Sequence, residues 1–146
     1  MSETVQRKGN KNMYPSGSEH PNADIVRKLY QALENGDFSA YLNLLTDDIV
    51  YHAAGHCFFA GDYHGKENLG KLAQTIYSET QGTHRVTRCQ IMATATYVAV
   101  IDTWNAQRNG RTIQMDNMLV YKVVDSKIAE CWEFIENIAE HDTFWA

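Results

Sequence analysis

The sequence predicts a single α+β domain: a strongly curved, mixed and mostly antiparallel sheet forming a cone wrapped by three N-terminal helices. Three observations carry this reading. Helical periodicity recurs three times before residue 82, and four strand-length runs follow it. A short apolar run, 49–53, lies between the second and third helical patterns, where helices can lid it and the later sheet can continue it. The late runs are separated by hairpin-sized breaks, Asn109-Gly110 and the weaker Asp125-Ser126. A length of 146 residues suits one domain with a real core.

Residues 1–20 are polar, with almost nothing apolar to offset the entropy of ordering, and are expected to be a flexible tail before a domain at 21–146. The first helix begins at a polar Asn or His and places Ile25, Leu29, Ala32 and Leu33 on one face, with a stop at Gly36. Asp37 caps a second helix whose apolar face is Phe38, Tyr41, Leu42 and Leu45, broken by Thr46-Asp47-Asp48. After the strand at 49–53, Gly61 to Gly65 reads as a turn. Leu69, Leu72, Ala73, Ile76 and Tyr77 give the third helix, ended at Gln81-Gly82. Strands are expected over 84–94, 97–108, 111–124 and 127–138.

Val98, Val100, Trp104 and Ala106 share one strand parity, and Tyr97, Ala99 and Ile101 share the other. A free-standing face would alternate with polar residues, so both faces are expected to be covered. Helices cover one. A second copy of the chain is expected on the convex face, giving a homodimer.

Net charge −5 argues against nucleic acid and anionic membranes as partners, since both need clustered Lys and Arg. No run of 18 apolar residues is present, and no signal-like apolar stretch opens the chain. Cys57, Cys89 and Cys131 are odd in number and lack a C-x-x-C spacing, which suits a reducing, cytoplasmic location.

Four motifs in order, Asn35-Gly36-Asp37-Phe38, the 45–52 stretch LTDDIVYH, the 61–67 stretch GDYHGKE and the 121–134 stretch YKVVDSKIAECWEF, resemble the nuclear transport factor 2-like (cystatin-like) superfamily. Within it, the chain is similar to the SnoaL-like and ketosteroid-isomerase-like group over about residues 22–138. The resemblance implies a cone cavity for a hydrophobic small molecule and proton-transfer chemistry. Two departures are visible. Ala53 stands where the isomerases carry their general base, and Leu119 where members carry an aspartate on the third long strand. Steroid isomerisation and the usual aldol cyclisation are therefore not implied. His52 does match the strand histidine of the cyclases.

Asp102 interrupts an apolar strand on the parity of Val100 and Trp104, where a desolvated carboxyl could act as general acid or base. The bland alternative is an acid paired with Arg88 or Thr112. His52 titrates near neutrality and is a candidate proton shuttle, or else a histidine at a dimer seam. The resemblance points Cys131, Glu133 and Ile135 inward, making Glu133 a second candidate catalytic acid; the alternative is a solvated glutamate. It also turns Asn117 inward as a donor and Asp116 outward. Tyr30, Tyr51, His56, Phe59, Trp104, Asn117, Leu119 and Cys131 are the expected substrate contacts, with Phe58-Phe59 as a lip and Trp132 in an interface or core. His52 and His56 suggest no metal without a third ligand, and no cofactor is expected. Two functions follow: a cofactor-independent acid/base enzyme (isomerase, cyclase or dehydratase), or a binding or assembly domain without turnover.

Overall fold

A computed structural model describes residues 20–146. The tail expected over residues 1–20 lies almost wholly outside the described residues. The chain runs α1 (Pro21–Glu34), α2 (Phe38–Asn43), β1 (Leu45–Ala53), β2 (Gly61–His64), α3 (Lys66–Glu79), β3 (Arg85–Ala93), β4 (Tyr97–Arg108), β5 (Arg111–Val124), β6 (Lys127–Ile135) and α4 (Ile138–Trp145). One open six-stranded sheet has the order β2-β1-β6-β5-β4-β3. Every pairing is antiparallel except β1 with β6.

Strands β4, β5 and β6 form a meander because the two turns between them close tightly. Asn109 and Gly110 have φ of +50° and +73°, and Asp125 and Ser126 have +48° and +62°. Positive φ at both central residues matches the right-handed twist of the flanking strands. The second turn reaches that geometry without glycine, which is why its signal in the sequence is weaker.

Helix α1 starts where His20 Nδ1 accepts the Asn22 N–H at 3.1 Å and Pro21 fills the first turn. It buries Ala23, Val26, Leu29 and Tyr30 against the concave face. Both ends are pinned. Asn22 Nδ2 donates to the Thr94 and Ala95 carbonyls at 3.0 and 3.1 Å, and Glu34 Oε1 accepts the Val86 N–H at 2.7 Å, beside a register shift in β3. Gly65, at φ +84°, opens α3 as a position that favours glycine.

Four details differ from the sequence reading. Leu45 to Asp48 belong to β1, because the Ile128 N–H donates to the Leu44 carbonyl and Leu45 pairs with Ile128, so a strand forms where a helix end was expected. Gly61–His64 is an edge strand rather than a turn, held by β1 through Val50↔His64 to Ala53↔Gly61. Strand β6 ends at Ile135, and α4 follows, so the chain does not finish in strands. Asn137 Oδ1 caps α4 by accepting the Glu140 N–H at 3.0 Å, and Arg111 donates to the Thr143 carbonyl at 2.7 Å. His141, Phe144 and Trp145 are its buried face. There are thus three N-terminal helices, as expected, and a fourth that closes the cone.

The two faces of the sheet differ. Val98, Val100, Asp102, Trp104 and Ala106 of β4 are all buried, while Tyr97 and Ile101 are exposed. On the same outer side Met92, Met118 and Phe134 are exposed. No helix among the described residues is long and apolar enough to cross a membrane.

Candidate functional site

Between the concave face and the helices lies a cavity of about 180 Å³. Its walls are mostly aliphatic and aromatic: Leu29, Leu33, Leu69, Leu72 and Ile76 from the helices face Trp104, Leu119 and Tyr121 from the sheet. Few polar groups enter. Among them, Asp102, Asn117, Glu133 and Tyr30 come from β4, β5, β6 and α1, and each has at least one hydrogen-bond partner.

Asp102 sits on β4, directly across from Asn117 on β5. It is 4% exposed. Its Oδ2 accepts the Tyr30 hydroxyl proton at 2.9 Å, and the Tyr121 hydroxyl donates to Tyr30 at 3.2 Å. Its Oδ1 is buried and accepts no hydrogen bond among the described residues. Desolvation pushes the carboxyl up to about 7, against the stabilising Tyr30 hydrogen bond and reinforced by the charges of Glu133 and Asp116. The partners offered by the sequence, Arg88 and Thr112, are elsewhere. Arg88 reaches Asp116 at 3.5 Å on the outer face, and Thr103 Oγ1 donates to Asp116 as well.

Glu133 points inward from β6, opposite Leu119. The Tyr51 hydroxyl donates to its Oε2 at 3.0 Å and the Ala54 N–H to its Oε1 at 3.1 Å. Burial raises its carboxyl from the usual range, and those two hydrogen bonds hold the rise in check. With its amide oriented so that both ends find partners, Asn117 accepts the Trp104 indole N–H at 3.0 Å and donates its amide N–H to the Asp116 carbonyl at 2.9 Å. Asn117 therefore fixes Trp104 and retains one N–H. Tyr30, Tyr51, Phe59, Trp104, Asn117, Leu119 and Cys131, all expected substrate contacts, line the cavity together.

Two expected residues do not. His52 faces the outer side of β1, where Nδ1 lies 2.7 Å from Asp62 and Nε2 2.8 Å from Glu130, and its ring stacks on Trp132 at 5.7 Å. The reason is parity: Ile49, Tyr51 and Ala53 turn inward, so the residue between them turns out. His56 is also outside, its side chain 82% exposed and its Nδ1 3.1 Å from Asp142. Phe58 is exposed, whereas Phe59 is buried against Trp145 at 4.9 Å.

The structure adds His84, His141, Tyr121 and Trp145 to the lining. His84 stacks on Trp104 at 5.1 Å, and desolvation, aided by Arg85, pushes it down to about 4. At neutral pH it is an uncharged imidazole. Its signal in the sequence was its place just ahead of β3. Trp145 and His141 were signalled by the helical spacing of 141, 144 and 145.

This arrangement can be compared with known proteins. The profile of the SnoaL-like domain matches residues 26–131. The chain belongs to the SnoaL-like domain family. An uncharacterized protein of Mycobacterium tuberculosis (strain ATCC 25618 / H37Rv) is 23% identical over 124 residues, 84% of this chain and 95% of that one. A Xanthomonas campestris protein of unknown function with a cystatin-like fold superposes with a TM-score of 0.80 at 25% identity, over 86% of this chain and 98% of its own. Bal32a, from a soil-derived mobile gene cassette, gives 0.82 at 24%, over 86% and 96%. TerC, solved with polyporic acid, gives 0.75 at 15%, over 87% and 100%. The SnoaL-like chain thus has the nuclear transport factor 2-like fold implied by its motifs.

Proposed function

We propose that this SnoaL-like protein is a cofactor-independent enzyme performing acid/base proton transfer, as in isomerisation, cyclisation or dehydration, on a hydrophobic small molecule. The observation that carries this reading is Asp102. A carboxyl that lines an apolar cavity, with one oxygen held by Tyr30 and the other without a hydrogen bond, is poised to take or give a proton near neutral pH. Glu133 supplies a second carboxyl. Two acids in one apolar space titrate apart, so that one can be protonated while the other is charged. Neutral His84 and the remaining Asn117 N–H are hydrogen-bond groups for a substrate oxygen. His52 is given no part, since it faces away. A cavity near 180 Å³ suits a single ring or a compact bicyclic core, by comparison with the roughly 150 Å³ that holds benzene. TerC's complex with polyporic acid supports a small organic ligand for the fold.

The test is Asp102→Asn in a turnover assay over a panel of small cyclic ketones, enols and polyketide-like compounds read by mass spectrometry. The expected result is a loss of at least about 100-fold in kcat/KM with the fold retained. Full activity in the variant overturns the proposal. A second reading, a binding domain without turnover, draws on Ala53 and Leu119 at the positions where relatives place carboxylates. It predicts tryptophan quenching by ligands without product.

We also infer a homodimer through the outer sheet face, where Ile101, Met118 and Phe134 are cross-strand neighbours and exposed. Sedimentation should give twice the chain mass for the native protein and one chain mass for Phe134→Glu; a monomeric native protein contradicts this. Three free cysteines and an acidic balance support a cytoplasmic location.

A further inference from the structure

Where the loop after β1 meets α4, three side chains of different chemistry converge. Cys57, His141 and Asp142 offer a sulfur, a ring nitrogen and a carboxylate oxygen that all lie within 4.8 Å of one another. We propose that these residues form a binding site for a zinc-type divalent transition-metal ion, with a fourth position open to water.

Four features support it. First, His141 is 2% exposed, yet its Nδ1 makes no hydrogen bond among the described residues; the nearest acceptor, Asp142 Oδ1, is 3.5 Å away. A buried ring nitrogen that faces a carboxylate beyond hydrogen-bond reach, beside a thiol, leaves room for an ion between them. Second, the backbone opposite has been cleared. A Cβ on Gly55, which has φ +86°, would lie 2.8 Å from Asp142 Oδ1 and 3.3 Å from His141 Nδ1, so the cradle excludes any larger residue. Third, the ligands are already oriented. The His141 ring is held by Phe59 at 6.0 Å and by Trp104 and Trp145 at 6.3 Å each. Asp142 accepts the His56 N–H at 3.0 Å, and His56 Nδ1 lies 3.1 Å from its second oxygen, outer contacts of the kind that orient a ligating carboxylate. Fourth, the donor set selects the ion. Thiolate, imidazole and carboxylate together suit zinc and its neighbours rather than magnesium or calcium, which demand oxygen.

Tetrahedral bonds of about 2.0–2.3 Å put ligand atoms roughly 3.3–3.7 Å apart, so from a separation within 4.8 Å the widest pair closes by about 1.5 Å at most. On binding, the Cys57 thiol releases its proton to solvent, His141 ligates as the neutral ring, and thiolate plus carboxylate balance the two positive charges. The ion would tie the 54–60 loop to α4 at the aromatic end of the cavity, since His141 and Phe59 line it. The site is separate from Asp102, and its test does not depend on turnover.

The probe is Co²⁺ added to the full-length protein after chelator treatment under reducing conditions. One equivalent should produce a thiolate-to-cobalt charge-transfer band with intense tetrahedral absorption, displaced by Zn²⁺. Cys57→Ser should abolish the band, Asp142→Asn should weaken affinity at least about tenfold, and Cys89→Ser should change neither. A wild-type measurement guards against misfolded variants: one equivalent of Zn²⁺ should slow alkylation of Cys57 by at least about tenfold, read by peptide mapping. Absence of the band, its survival in Cys57→Ser, or an unchanged alkylation rate overturns the proposal.

Discussion

Strand β6 carries two glutamates that meet opposite fates. Glu133 turns into the cavity, where a tyrosine hydroxyl and a backbone N–H are its partners and burial raises its carboxyl. Glu130, three residues earlier and on the other parity, turns outward to His52. The same split divides β1, where Tyr51 looks in and His52 looks out. Inside, desolvation decides how a group titrates, and Asp102 is moved to about 7 by it. Outside, charge pairing decides: hydrogen bonds to the Glu130 and Asp62 carboxylates raise His52 above its usual value. Only the first kind of shift costs stability, and that cost makes Asp102 the better candidate for function.

The largest effect that sharpens this contrast is on stability. Asp102 titrates higher in the folded protein than in the unfolded chain, so its favourable contribution is complete below about pH 4 and is lost as pH rises through about 7. Asp102→Asn cannot ionise and escapes that loss. It should therefore be more stable than the native protein at pH 8 by about 2–4 kcal/mol, with the gain vanishing below about pH 4, measured by urea unfolding. A variant less stable at pH 8 would break the contrast.

Next comes Tyr30→Phe. The Tyr30 hydrogen bond favours the charged carboxylate, so its removal should raise the midpoint of any pH–rate profile and destabilise the fold by about 1–2 kcal/mol. An unmoved profile would detach Tyr30 from the chemistry.

The smallest effect belongs to the outer face. His52 is raised in the folded state, so its contribution is complete below its unfolded pKa of about 6.5 and fades as pH rises through the folded value. His52→Gln should cost under about 1 kcal/mol at pH 6, less at pH 9, and leave turnover unchanged. A large loss of turnover would reverse the assignment of faces.

Strand β4 is apolar on both parities, so Asp102 was legible only as a carboxylate among apolar neighbours, and the family resemblance supplied the parity that faces the cavity. A single carboxylate on the parity of Val100 and Trp104 has one place to go, and Asp102 went there. Strand β1 is also apolar on both faces, at Val50 and Tyr51, which hides the side His52 takes. Helix α4 was missed because it is only eight residues long and begins in a polar stretch, so its pattern merged with the end of β6. His84 lies just before β3, where no alternation assigns a face. The thiol, ring and carboxylate of Cys57, His141 and Asp142 come from segments far apart in sequence, and only tertiary structure brings them together.

The most direct measurement is the titration of the Asp102 side-chain carboxyl by carbon-13 NMR, assigned through Asp102→Asn. A midpoint near 7 is predicted. A midpoint near 4, the ordinary value for an aspartate in water, would mean that the carboxyl is not held out of solvent, and the enzymatic account would fall.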